Sequence, residues 1–217
     1  IKVGASGTRE DGSDYATLGP DIARLVVDLA REAGLKVAAH CTGYTGAREA
    51  VEAGIDSIEH ASHIDRETAE LMGKKGTIIV PTMSTWSYRL EAAVRWGLPK
   101  EDIDVAEARR ESSRASFKRC LQAGVKVAAG TDAGGSPVRH GTIVREMEVM
   151  VENGLTPMMA IESATRQAAE LTGTIDSVGT IETGKLADMI LVDGDPLYEV
   201  GAIRNAWAVF QGGRRIR

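Results

Sequence analysis

Residues 36–42 read KVAAHCT, residues 57–62 SIEHAS and residues 125–135 VKVAAGTDAGG. Each run is apolar, has strand character, and ends in or runs into a side chain able to hold a metal ion: His40, His60 and Asp132. A helix-like segment follows each run. In a (β/α) barrel the carboxyl ends of all the strands open onto one face, where catalytic residues collect. Two imidazoles and a carboxylate on three strands can therefore converge on one ion, with donors suited to zinc or a similar divalent metal. That arrangement points to a metallohydrolase. The plainer readings are a satisfied core or surface histidine at each strand end and an Asx-type turn at Asp132. Two histidines at matching places on successive strands weigh against them.

Outward from these runs, IKVGAS at residues 1–6 reads as another strand, and Gly7 to Gly19 as a polar, glycine-rich loop. Pro20 opens a helix whose Ile22, Leu25, Val26 and Leu29 follow helical spacing, and Gly34 ends it. A short helix from about Gly46 to Ala53 stops at Gly54, and one capped by Asp65 ends near Gly76. TIIVPTM, residues 77–83, is a strand with Pro81 near its end, where a lost ladder hydrogen bond is tolerable. Trp86 to Gly124 is helical apart from a break at Gly97-Leu98-Pro99. Further helices run from Thr142 to Asn153 and from Pro157, behind a Thr156 cap. KLADMILVD (185–193) and AWAVFQGGRRI (206–216) are strands, the second turning at Gly212-Gly213.

The pattern is five β/α units and a β tail, so the fold class is α/β with a parallel sheet. Residues 1–178 read as a portion of a TIM-type (β/α) barrel, and residues 179–217 as strands of a small β-sandwich-like element. Five units cannot close an eight-stranded barrel. Open edges are therefore expected on the first and fifth strands, and such edges favour a homo-oligomer.

Net charge is -5 and there is no long basic run, which argues against a nucleic-acid partner. No apolar stretch approaches the roughly 20 residues that cross a bilayer. Cys41 and Cys120 form no disulfide framework, so a reducing, cytoplasmic setting is expected. An open doubly wound α/β protein binding an anion is the rival reading by fold, but no phosphate-type glycine motif follows any strand.

IKVGASG (1–7), VAAHCTG (37–43), AGIDSIEHASHID (53–65), GTIIVPTM (76–83), GVKVAAGTDAGG (124–135), the long segment from HGTIVREMEV to AAELTG (140–173) and GTIETGKLADMILVDGDPL (179–197) together resemble the amidohydrolase superfamily. The likeness is strongest to its prolidase-like and imidazolonepropionase-like members, and it runs nearly end to end. It implies strands four to eight of the family barrel. It also implies one or two divalent ions, zinc being expected, with a carbamate formed from carbon dioxide on Lys2 bridging the two metals, His40 and His60 on the second and Asp132 on the first. Asp132 would also shuttle the proton while a metal-activated hydroxide attacks the C–N bond of a small amide, dipeptide-like or cyclic amide substrate. The family's strand-one His-x-His pair has no counterpart here, so the chain is expected to be the C-terminal part of such an enzyme. The alternative is a non-catalytic metal-binding fragment. Taken without the resemblance, Lys2 is a chain-end lysine whose stem reaches solvent.

Other residues are read individually. His140 and Arg139, on the loop after Asp132, and Trp86 and Tyr88, after the fourth strand, are candidate substrate contacts; core packing is the other reading for Trp86 and Tyr88. Arg145 is a second arginine able to pair a substrate carboxylate. His63 is expected to face solvent. Cys41 should point away from His40, since neighbours on a strand face opposite ways. GASGT at residues 4–8 resembles a serine nucleophile elbow only superficially, because Thr8 replaces the last glycine.

Overall fold

The computed structural model describes residues 1–8 and 14–217. In chain order they form β1 (Lys2–Thr8), β2 (Asp14–Ala16), α1 (Pro20–Glu32), β3 (Ala38–Cys41), α2 (Tyr44–Ala53), β4 (Ser57–His60), α3 (Arg66–Lys75), β5 (Ile78–Val80), α4 (Met83–Arg95) and α5 (Lys100–Gln122). Then follow α6 (Ile143–Glu152), α7 (Pro157–Ala164), α8 (Arg166–Thr172), β6 (Met189–Val192), a 3-10 turn (Val200–Asn205), β7 (Ala206–Gln211) and β8 (Arg214–Arg215).

β1, β3, β4 and β5 lie side by side in that order and run parallel. The short apolar strands suit a sheet covered on both faces: all three residues of β5 are buried. The helices between them carry ordinary stop and start signals. Asp65 accepts the Thr68 N–H at 2.7 Å to begin α3, and Gly76, in the left-handed conformation, ends it. Ile58, Ile79, Val37, Met72, Phe117, Cys120, Met147 and Met150 form one continuous core between sheet and helices. α2 lies so close to β1 that a Cβ on Gly46 would stand 2.3 Å from the Ala5 carbonyl oxygen.

Three expectations need correction. The segment from Gly7 to Gly19 is not all loop: β1 continues to Thr8, and β2 pairs with it antiparallel. Residues 9–13 of the expected loop lie outside the described residues. β2 covers the outer side of β1, so the open edge expected there is closed. The fifth strand, expected at 126–131, is reduced to one parallel bridge between Ile79 and Val127. The reason is local: the Ala129 N–H leaves the ladder and donates to the Ser163 carbonyl of α7 at 2.9 Å. A barrel is therefore not closed among the described residues; the sheet is open.

β6, β7 and β8 form a separate antiparallel sheet. It is tied back to the helical layer where the Arg204 guanidinium grips both carboxylate oxygens of Glu148. Among the described residues, no helix is long and apolar enough to cross a membrane.

Candidate metal and catalytic site

The parallel ladder places Gly4 beside His40, and His40 beside Glu59. His60 is in register with Cys41, one residue further along. Regular alternation would send His60 to the face opposite His40. The backbone prevents that, because His60 and Ala61 are left-handed, with φ of 68° and 48°. The two imidazoles consequently meet edge to face, with centroids 4.6 Å apart.

Among the described residues, two more non-glycine residues take left-handed backbone, Thr82 after β5 and Asp132 after the Val127 bridge. All four thus sit where strands of the parallel sheet end. Each costs roughly 1–2 kcal/mol, and strain gathered in one place is characteristic of functional sites.

Burial sets the electrostatics. It lowers the pKa of His40, further depressed by Lys2 and partly offset by Asp132. His60 falls to about 4, chiefly through burial and then through the charge of His40; Asp132 opposes this and Lys2 and Arg89 add to it. Both rings are therefore neutral at pH 7 and have lone pairs to offer a metal. The same interactions show that Lys2 and Asp132 lie within electrostatic reach of the pair. Cys41 is buried and its thiol is pushed up to about 12, so it remains a protonated core group.

Lys2 does not point into a ready-made ligand set. Its Nζ lies 3.8 Å from Glu59, whose other oxygen accepts the Ser57 hydroxyl at 2.6 Å. Among the described residues, no group of three or more His, Cys, Asp or Glu side chains is gathered closely enough to hold a metal ion. The structure brings the two histidines together and leaves Asp132 and Lys2 at the margin.

The first turn of α4 borders this site. The Thr82 hydroxyl lies 2.7 Å from His60 Nδ1, and the Thr85 hydroxyl donates to the Thr131 carbonyl at 2.9 Å, next to Asp132. Glu146 of α6 is fully buried and accepts the Met83 and Ser84 N–H groups at 2.8 and 2.7 Å. Burial pushes its carboxyl up to about 7, against the pull of those N–H groups and of Arg145. Glu59, Thr82 and Glu146 were not singled out from sequence. A charged residue inside the apolar run SIEH was the available signal for Glu59; Thr82 and Glu146 had none.

Of the candidate substrate contacts, Tyr88, Arg139 and His140 line one cleft of about 810 Å³ between α4 and residues 134–142. Trp86 is not in its lining; the Arg89 and Arg109 guanidinium groups sit 5.1 and 5.5 Å from its ring centroid. Arg145 is occupied by Glu152 and Glu148. His63 is half-buried rather than facing solvent, its Nδ1 2.9 Å from the Ser112 hydroxyl. Ser6, in the elbow-like GASGT, is buried and exchanges hydrogen bonds with the Gly43 backbone, so it is not a presented nucleophile.

Known proteins resemble this chain in sequence and fold. The chain is 34% identical over 222 residues to an ochratoxinase of Aspergillus niger, covering 99% of this chain and 45% of that protein. It is 30% identical over 201 residues to an imidazolonepropionase of Rhizobium rhizogenes, covering 88% and 44%. A crystal structure of an Xaa-Pro dipeptidase with methionine in its active site superposes with a TM-score of 0.89 at 35% identity, over all of this chain and 54% of that one. The chain thus spans about half the length of the relatives it matches. The sequence model of the amidohydrolase family matches residues 13–216, nearly the whole of it, and the chain belongs to that family.

Proposed function

We propose that this chain carries the metal-binding and proton-transfer groups of a metal-dependent hydrolase that cleaves C–N bonds in a small amide, dipeptide-like or cyclic amide substrate. The observation that carries this reading is the contact between two neutral imidazoles at adjacent strand ends, one of them strained at His60, with Asp132 within electrostatic reach. Identity to an ochratoxinase and likeness to an Xaa-Pro dipeptidase support the substrate class.

The donor chemistry fits a divalent ion such as zinc: two unprotonated imidazoles and a carboxylate. His40 and His60 would hold it, with Asp132 joining them by moving in from the margin of the site. Lys2 would join them by leaving Glu59, adding carbon dioxide to its neutral amine and releasing a proton, which turns a cation into an anionic donor. An ion held there supplies a Lewis acid that polarises the substrate carbonyl and lowers the pKa of water. Asp132 accepts the proton of the attacking water as the C–O bond forms. It returns that proton to the nitrogen as the C–N bond breaks. The cleft bearing Tyr88, Arg139 and His140 begins two residues beyond Asp132, at Gly134, and would hold the rest of the substrate.

One observation favours a second reading, metal binding without turnover: Lys2 is placed against Glu59 rather than among the ligands. The test measures metal content beside hydrolysis rate in the full protein that carries this chain. Asp132→Asn should keep metal and lose about 10²–10⁴-fold in rate. His60→Ala should lose both. Lys2→Ala should lose both and recover in part when a short carboxylate is supplied. Full activity in Asp132→Asn with metal bound would overturn the mechanism, and bound metal with no turnover on a broad amide panel would establish the second reading.

A further inference from the structure

The first turn of α4 lacks a cap of its own. The opening N–H groups of any helix need an acceptor, usually the side chain at the N-cap. Here the N-cap is Thr82, which is left-handed and makes no cap hydrogen bond. Its hydroxyl is committed elsewhere, 2.7 Å from His60 Nδ1. The missing acceptor comes from Glu146, on another helix and 63 residues away in sequence from Met83. Both its oxygens are used, one on Met83 and one on Ser84. The same turn reaches the other side of the site through Thr85 and Thr131.

We propose that Glu146 is a positioning residue: by capping α4 from α6 it frees the Thr82 hydroxyl to accept from His60 Nδ1–H, which fixes that ring with Nε2 unprotonated and turned to the metal. The assignment rests on the reading of His60 as a ligand. Its geometric half, the hold on the ring, stands apart from any reaction. Groups that hydrogen-bond the second nitrogen of a ligating histidine set its tautomer and orientation, and their loss costs about 10–100-fold in metal affinity. Glu146 acts one step further out, by holding such a group in place.

The experiment uses the full protein, ¹⁵N-labelled at histidine, first metal-free and then titrated with zinc alone. In the wild type, His60 should show the Nδ1–H tautomer. Thr82→Val should give mixed tautomers and about 10–100-fold weaker zinc binding. Thr82→Ser, which keeps the hydroxyl, should restore both. Glu146→Gln keeps the shape but presents an amide N–H to one of the two donors. It should reproduce the Thr82→Val signature, and the double variant should be no worse than either single one. Glu146→Asp, too short to reach both N–H groups, is read in the same way if Glu146→Gln does not fold. An Nε2–H wild type, or a folded Glu146 variant with an unchanged His60 tautomer and zinc affinity, overturns the proposal. Failure of both Glu146 variants to fold overturns it too, since the residue then serves stability alone. If wild-type protein binds no zinc, the hydrolase reading fails, while the metal-free tautomer still decides the positioning role.

Discussion

The imidazole of His60 stands at 69° to that of His40, although the ladder pairs His60 with Cys41 and His40 with Glu59. Two side chains one register step apart share a face only because the backbone turns left-handed at His60 and Ala61. The pair is thus made by local strain and not by the pleat.

That strain can be tested at Ala61, which is 1% exposed. A β-branched side chain strongly disfavours φ of 48° and would also overpack the core, at about 1–3 kcal/mol. Ala61→Val should lower the thermal midpoint and zinc affinity together, read by calorimetry and zinc titration. Unchanged zinc affinity in a folded Ala61→Val protein would separate the strain from the site.

Glu146 should leave a pH signature on stability. Its carboxyl is raised from 4.5 to about 7 in the folded chain. The folded state therefore holds the proton more tightly than the unfolded one. Its contribution is fully present below about pH 4.5 and is lost as pH rises through about 7. In metal-free protein, the wild-type thermal midpoint should drop from about pH 5 to about pH 8 more steeply than that of Glu146→Gln. Parallel curves would show that Glu146 stays charged throughout.

Gly46 tests the packing of α2 on β1. Alanine in a helix gains about 1 kcal/mol over glycine. Here its methyl would meet the Ala5 carbonyl oxygen at 2.3 Å, a backbone atom that cannot rotate away. Overpacking, at about 1–3 kcal/mol, should win, so Gly46→Ala should lower the urea midpoint. A raised midpoint would mean the helix shifts freely.

The cleft between α4 and residues 134–142 should affect binding more than chemistry. Arg139 lines it and is exposed, and its one described hydrogen bond, accepted from the Thr142 hydroxyl, is through the backbone carbonyl and survives truncation of the side chain. Arg139→Ala should raise KM for an anionic dipeptide-like substrate about tenfold with kcat little changed, the pattern of lost uniform binding. A fall in kcat at constant KM would place the residue at the reacting bond.

What could be read from sequence follows from what residue types reveal. Apolar runs and glycine stops gave β3, β4, β5 and the helices around them, because burial and capping act locally. His40 and His60 were legible because imidazoles at the ends of apolar strands stand out. The offset that separates them in register was not, because left-handed backbone at His60 and Ala61 has no signature in a residue type that is not glycine. The strand expected at 126–131 has strand composition, yet a contact with α7 diverts it at Ala129. Glu146 lies in a helix whose other charged residues are at least partly exposed and ion-paired, and only the tertiary structure shows that this one is buried.

The cap that Glu146 places on α4 also bears on the order in which the molecule assembles. Met83 and Ser84 have no acceptor until a residue some 60 positions later has docked. During synthesis the start of α4 leaves the ribosome before α6 does, so until then its end that meets His60 lacks its cap. The end of α4 that meets His60 therefore gains its cap only once α6 has been made and docked. A nascent chain stalled before residue 146 would have the parallel strands but no fixed partner for the second histidine.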